Sequence, residues 1–492
     1  MKKYLAVLAV AVLVVSGASM SYAAYCATDV VPAATLLFPF VQLDYNNPVN
    51  GDTTLFAITN VSSAAQIVHV TVWTEYSTAI LDFNVVLSGY DVQTMNIRDI
   101  LINGDLPNTG TAHNSGLDYD FSKPFNPVDG TSTPFQDGPV SYNNDAFTQA
   151  PAPPDMPPAE GTSVFNVPGV CAPSDSSYPN YPIIGASTLA TFQDYLTLFQ
   201  LYAQYGLLAH SDCDLYNAYN IGDWWETRTL ADPTWMYITA DVVQTCNKEF
   251  PSSANYWTPD IVAYDNVLIG DIFWVNNDAR FSEADNAVHI EAVDPAVYQQ
   301  DPTFYTGVES NGAADDINGR EPLPTAWAMR YLGVGDSAID TYIRAWKNQN
   351  DFYYYLDAGG NVVGFNAFDC WMYTLYMWDE DENFKTTYDD PWSAPGIGRL
   401  IPNLLPLETQ EVKADEFNTP DTNGWMLFIW PDSNLRPFFY ETWMGVKYSA
   451  YGQYSAALSG AVIANSNCFP DQVMPNLGLN DLVFAQAGGA SN

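Results

Sequence analysis

Between Thr53 and Leu87 the chain alternates apolar and polar residues with a period of two, which commits this stretch to strands with one apolar face. Val68, Val70 and Val72 alternate with His69, Thr71 and Trp73, and Leu81, Phe83, Val85 and Leu87 follow with Asp82 and Asn84 between them. The break at Glu75 to Thr78 separates two antiparallel strands. Upstream, Leu55 to Thr59 ends at Asn60, where Asn60-Val61-Ser62-Ser63 supplies side chains that hydrogen-bond their own backbone in turns. Short strands at this rhythm predict an immunoglobulin-like β-sandwich over Ala33 to Leu101, within a first unit spanning 24–105.

Further along, the punctuation changes. Thirteen of the 33 prolines fall between Lys123 and Pro182, including Pro151, Pro153, Pro154, Pro157 and Pro158. Proline removes backbone donors and fixes φ, so 106–182 is predicted to be an extended loop or linker. One helix is predicted over 188–205, because Leu189, Phe192, Leu196, Phe199 and Ala203 recur at steps of three and four and Gly206 closes the run. It opens a β-rich middle domain, 183–400, with strands at Trp235 to Val243, Val267 to Val275 and Val288 to Val293. A hairpin is predicted over Phe352 to Gly364, bending at Asp357 to Asn361. Ile339 to Trp346 fits a helix through Ile339, Tyr342 and Trp346, and a strand through Ile339, Thr341, Ile343 and Ala345. The C-terminal β segment, 401–492, holds Trp425 to Trp430, Met444 to Tyr448 and Tyr454 to Val462, forming a second sheet or completing a sandwich. No fixed-period repeat points to a solenoid or propeller. The fold class expected is therefore mainly β with one or a few helices.

The first residues read as a leader. Lys2 and Lys3 precede an apolar run from Leu5 to Val15, and small residues follow at Ser21, Ala23 and Ala24. A bilayer-spanning helix takes about 20 apolar residues, so a signal peptide over 1–23, cleaved after Ala23, is the expectation, with no integral membrane segment. Tyr25 before Cys26 does not fit a lipoprotein site. All six cysteines follow the cleavage point: Cys26, Cys171, Cys213, Cys246, Cys370 and Cys468. An even count in an exported chain suggests up to three disulfides, whose pairing the sequence leaves open. The expected location is the periplasm, the cell surface or the extracellular space.

Charge narrows the partners. The chain has 57 acidic and 16 basic residues, and loss of the leader takes its formal net charge from −41 to −43. Such a surface disfavours nucleic acid and anionic lipid, whose binding depends on Lys and Arg. Calcium fits it, at Asp379, Asp381 and Glu382 within Asp379-Glu380-Asp381-Glu382, as oxygen ligands on a turn; a solvated loop fits as well. The run Ala314 to Gly319 is the other dense oxygen cluster, but it breaks the EF-hand pattern at Ala314. No other cofactor is expected, since P-loop, GxGxxG, GxSxG and HExxH motifs are all missing. Leu106-Pro107-Asn108-Thr109-Gly110 matches a sortase signal but lies far from the C-terminus. His289 and Glu291, two apart, share a face if they lie on a strand. Of 14 tryptophans, 13 lie between Trp224 and Trp443, so any stacking site for sugar rings belongs to the middle and C-terminal regions.

Several stretches resemble a family of uncharacterised bacterial exported proteins: Thr54 to Asn60, Val70 to Thr74, Leu81 to Asn84, Gly89 to Thr94, Cys246, Val288 to Ala292 and Arg320 to Thr325. The resemblance implies a recurring exported architecture and assigns no activity or catalytic residue. With no catalytic motif, the function expected is a non-enzymatic binding or structural role, on glycans or other surface proteins. The alternative is an exported polysaccharide hydrolase or lyase with a carboxylate pair.

Overall fold

The computed structural model describes residues 31–75, 79–107, 233–244, 250–251, 256–257, 261–277, 280–292, 304–305, 319–335, 338–348, 352–356, 362–367, 373–388, 405, 408–417, 419–430, 441–451 and 454–462. The predicted leader, all six cysteines, nearly all of the Pro-rich stretch, the predicted helix, the run 314–318 and the bend at 357–361 lie outside them. What is described is mainly β.

Five strands come from the N-terminal alternation: β1 (Thr35–Leu43), β2 (Thr53–Asn60), β3 (Gln66–Thr74), β4 (Ala79–Leu87) and β5 (Val92–Asn96). They do not close on one another. β6 (Thr234–Val243) lies between β3 and β1, and β9 (Val288–Ile290) flanks β1, giving the sheet order β4, β3, β6, β1, β9. β7 (Leu268–Asn276) and β8 (Phe281–Asn286) extend a second sheet, β5, β2, β7, β8. The cause is visible in β1 and β3, whose nine residues each are buried throughout. Strands covered on both faces sit at the centre of a sheet and need partners on both edges. The two sheets pack through Val68, Val70, Leu36 and Phe38 on one side and Phe56 and Ile272 on the other, with the Phe38 and Phe56 rings 5.1 Å apart.

The C-terminal half adds two more sheets. β10 (Ala326–Tyr331), β14 (Thr374–Asp379), β15 (Phe384–Tyr388), β17 (Gly424–Ile429) and the two-residue β20 (Ala461–Val462) order as β15, β14, β17, β10, β20. β11 (Ile339–Lys347), β16 (Thr409–Lys413), β18 (Thr442–Ala450) and β19 (Tyr454–Ser459) order as β16, β11, β18, β19. The ambiguous segment at Ile339 is thus a strand. The predicted hairpin is present as β12 (Phe352–Leu356) and β13 (Val362–Ala367), paired antiparallel. One apolar cluster runs without a break from Leu36 and Val70 to Trp346, Phe428 and Met444, so the sheets share a continuous core.

Candidate functional site

The polar positions of the N-terminal alternation face a second buried layer and not solvent. In register across β4, β3, β6 and β1 stand Asn84, His69, Asp241 and Thr35, with Asp82, Thr71 and Thr239 in the next row. All seven are at most 2% exposed. Buried polar groups persist only where partners replace water. Here Asp241 Oδ1 accepts from the Thr35 hydroxyl, and Oδ2 accepts from Tyr256 at 2.8 Å and Tyr305 at 2.9 Å. Burial, then the Asp241 charge, holds both phenols well above their usual pKa, so they remain donors. Arg320 donates from Nε to the Thr35 hydroxyl at 2.7 Å and from Nη2 to the Ala263 carbonyl at 2.9 Å. His69 Nδ1 lies 3.0 Å from Asn84 Oδ1, and its Nε2 is 3.6 Å from Asp82. Tyr256, Tyr305 and Arg320 come from connections between strands, so this layer pins distant segments onto one sheet face.

Two further charged nodes join sheets. Arg344 on β11 donates to Glu283 of β8 at 2.5 Å and to Glu411 of β16 at 2.8 Å, with its guanidinium 4.2 Å from the Trp274 ring centre. Lys447 reaches Glu411 at 2.6 Å, and the Ser455 hydroxyl donates to Glu283. Burial pushes the Glu411 carboxyl up, but Lys447 and Arg344 outweigh it and hold it below the usual range. At the second node, Lys347 donates to the Leu405 carbonyl at 2.7 Å, while Glu441 accepts from the Leu323 N–H and the Asn348 amide. Burial pushes the Lys347 ammonium down to about 7, against the opposing pull of Glu408.

The residues singled out from sequence fall elsewhere. Asp379 ends β14 and organises the turn into β15. Its Oδ1 accepts backbone N–H groups of Asp381 at 2.9 Å and Asn383 at 2.8 Å, and its Oδ2 accepts the Asn383 amide at 2.7 Å. Asp381 and Glu382 are exposed beside it, Glu382 with φ +64°. Among the described residues no three His, Asp or Glu groups are arranged to hold a metal ion. His289 is buried on β9, where Nε2 accepts the Gly270 N–H at 3.1 Å and burial lowers its pKa; Glu291 lies just past the strand end.

The tryptophans divide between core and surface. Trp73, Trp274, Trp346 and Trp430 are fully buried. On the outer face of the β14 and β17 pair, Trp378 and Trp425 stack with centroids 4.0 Å apart and planes 9° apart. Phe384 of β15 lies tilted 5.2 Å from Trp378.

Comparison with family models, curated proteins and solved structures finds no match to this chain. The polar layer was not legible in the sequence because Asp241, Tyr256 and Tyr305 belong to no motif, and Arg320 stood only in a stretch resembling a family with no assigned activity. The one available signal was the acidic residue Asp241 in the otherwise uncharged run Thr234 to Val243.

Proposed function

We propose that this chain is an exported or surface-associated protein with a binding or structural role and no catalytic one. The observation that carries the reading is the burial, among the described residues, of several groups well suited to chemistry. His69, Asp82, Asp241, Arg320, Arg344 and Lys347 are all at most 1% exposed and serve as ties between strands and sheets. A general acid or base must reach its substrate within hydrogen-bond distance, and groups committed in this way offer protein contacts in place of that access. The leader, the even cysteine count and the resemblance to exported proteins support the location. Immunoglobulin-like topology for the N-terminal sheets belongs to the same proposal.

The test is expression with the leader intact, followed by intact mass and a polysaccharide screen. Expected are loss of residues 1–23, a mass six hydrogens below the reduced form, and no release of reducing ends or unsaturated products. Retention of the leader with free thiols would remove the exported reading. Turnover that disappears when a surface carboxylate is substituted would favour the hydrolase or lyase.

A further inference from the structure

Neighbouring strands lie about 4.8 Å apart, so rings on adjacent strands that stack at 4.0 Å and 9° must stand on edge, perpendicular to the sheet. The stack of Trp378 and Trp425 therefore crosses from β14 to β17 and stops there. One face of Trp425 is covered by Trp378, and the other turns towards β10. There the register places Arg330 opposite Trp425 and the small Ala328 opposite Leu427. Trp425 is 37% exposed.

Arg330 is the second half of the observation. In a chain with 57 acidic residues and 16 basic ones, a surface cation without a carboxylate partner is against expectation. Among the described residues, Arg344 and Lys447 pair with Glu411, Lys413 with Asp340 and Asp415, and Arg320 bonds Thr35, whereas Arg330, like Arg280, stands exposed. Among the described residues the Arg330 side chain has no carboxylate partner, while its carbonyl accepts the Tyr448 hydroxyl at 2.9 Å. That bond brings only the Tyr448 hydroxyl to the Arg330 backbone, the Tyr448 ring itself packing on the inner core; among the described residues β20 pairs with Trp327 and Ala328 of β10.

We infer that Trp425 and Arg330 form a subsite for the uronate residue of an acidic polysaccharide. The C–H face of a pyranose packs on the free face of an indole. A guanidinium pairs with a carboxylate through two parallel hydrogen bonds, which a neutral sugar does not offer. The acidic turn at Glu380 to Glu382 lies at the far side of the stack, two strands or about 10 Å from Arg330. At physiological salt the screening length is about 8 Å; Asp379 and Asp421 lie nearer, both acting on the adjacent Tyr331, so the contact depends on direct pairing of the uronate with the Arg330 guanidinium. The subsite rests on the binding role proposed above and names its ligand class.

The experiment is affinity electrophoresis and calorimetry of the mature protein with polygalacturonate, and with dextran as the neutral control. Wild type is expected to bind polygalacturonate and not dextran. Arg330→Gln is expected to weaken binding at least about 10-fold, the scale of a lost charge-assisted pair. Trp425→Ala is expected to do the same, with Trp425→Phe retaining part of the affinity. Melting curves check that each variant is folded, and the exposed Arg330→Gln keeps the test open if Trp425→Ala does not fold. Failure of wild type to bind polygalacturonate, or equal binding by Arg330→Gln, overturns the subsite. Binding of another glycan that ignores Arg330 also overturns it but leaves the binding role intact. Cleavage of polygalacturonate with the Arg330 dependence preserved would retain the subsite and remove the non-catalytic reading.

Discussion

Asp241 is held by three hydroxyl donors from three separate segments, those of Thr35, Tyr256 and Tyr305. Replacing it with Asn keeps the shape but turns an amide donor towards groups that already donate. Asp241→Asn is expected to cost about 3 kcal/mol, as buried charged networks do when one member is changed, and Tyr305→Phe only about 1 kcal/mol. Urea titration reads both, and an Asp241→Asn midpoint equal to wild type would show that the layer does not tie the sheet. Lys347 gives a pH signature. Folded, it releases its proton near pH 7; unfolded, it does so near 10.4. Between those values the unfolded chain binds more protons, so stability rises with pH from about 7 to 10, by at most about 1.4 kcal/mol per unit. Below pH 7 the cost of charging buried Lys347 is fully present. Lys347→Met is expected to flatten that slope, and an unchanged slope would place the titration elsewhere. Neither role was legible in the sequence. Period two announces that His69, Thr71 and Asp82 share a face, but whether water or protein covers that face depends on residues such as Tyr256 and Arg320, far along the chain.

Strands were legible where local pattern sufficed. The alternation at Val68 to Leu87 gives β3 and β4, and the runs at Trp235, Val267, Trp425, Met444 and Tyr454 give β6, β7, β17, β18 and β19. Partner choice was not legible, because the insertion of β6 between β3 and β1 is set by burial of both edges and crosses more than 150 residues. The β14 and β17 pair shows how tight such a pairing is. A Cβ on Gly424 would lie 2.0 Å from the Trp378 carbonyl oxygen and 2.4 Å from the Tyr331 hydroxyl. Backbone cannot yield as a flexible side chain does, so Gly424→Ala is expected to cost at least about 1–3 kcal/mol and to disturb the Trp378 and Trp425 stack. Near-ultraviolet circular dichroism and thermal melting measure both, and a silent substitution would mean that the two strands are not in this register.

At the scale of the whole molecule, a continuous apolar core and buried ion pairs work against a large excess of negative charge. The formal net charge of −41 leaves most carboxylates without a basic partner. Their mutual repulsion is greatest in the compact state and destabilises it. Raising salt from 0.01 to 0.15 M shortens the screening length from about 30 to about 8 Å, so NaCl is expected to raise the melting temperature. The buried pairs of Arg344 with Glu283 and Glu411 are shielded from that effect and contribute little to the change. Calcium separates screening from a site. Asp379 already accepts three hydrogen bonds from its own turn of the roughly four a carboxylate can take, which leaves Asp381 and Glu382 as the least committed of the three candidate ligands. Calcium ordinarily takes six to eight oxygens, more than two exposed side chains and water hold against screening. The expected result is therefore equal melting shifts from CaCl₂ and from NaCl at matched ionic strength, for wild type and for Asp381→Asn alike. An added calcium shift that Asp381→Asn removes would instead place an ion at this turn. At 100 times its dissociation constant such an ion would stabilise by about 2.7 kcal/mol, and a shift of that size stands well clear of screening.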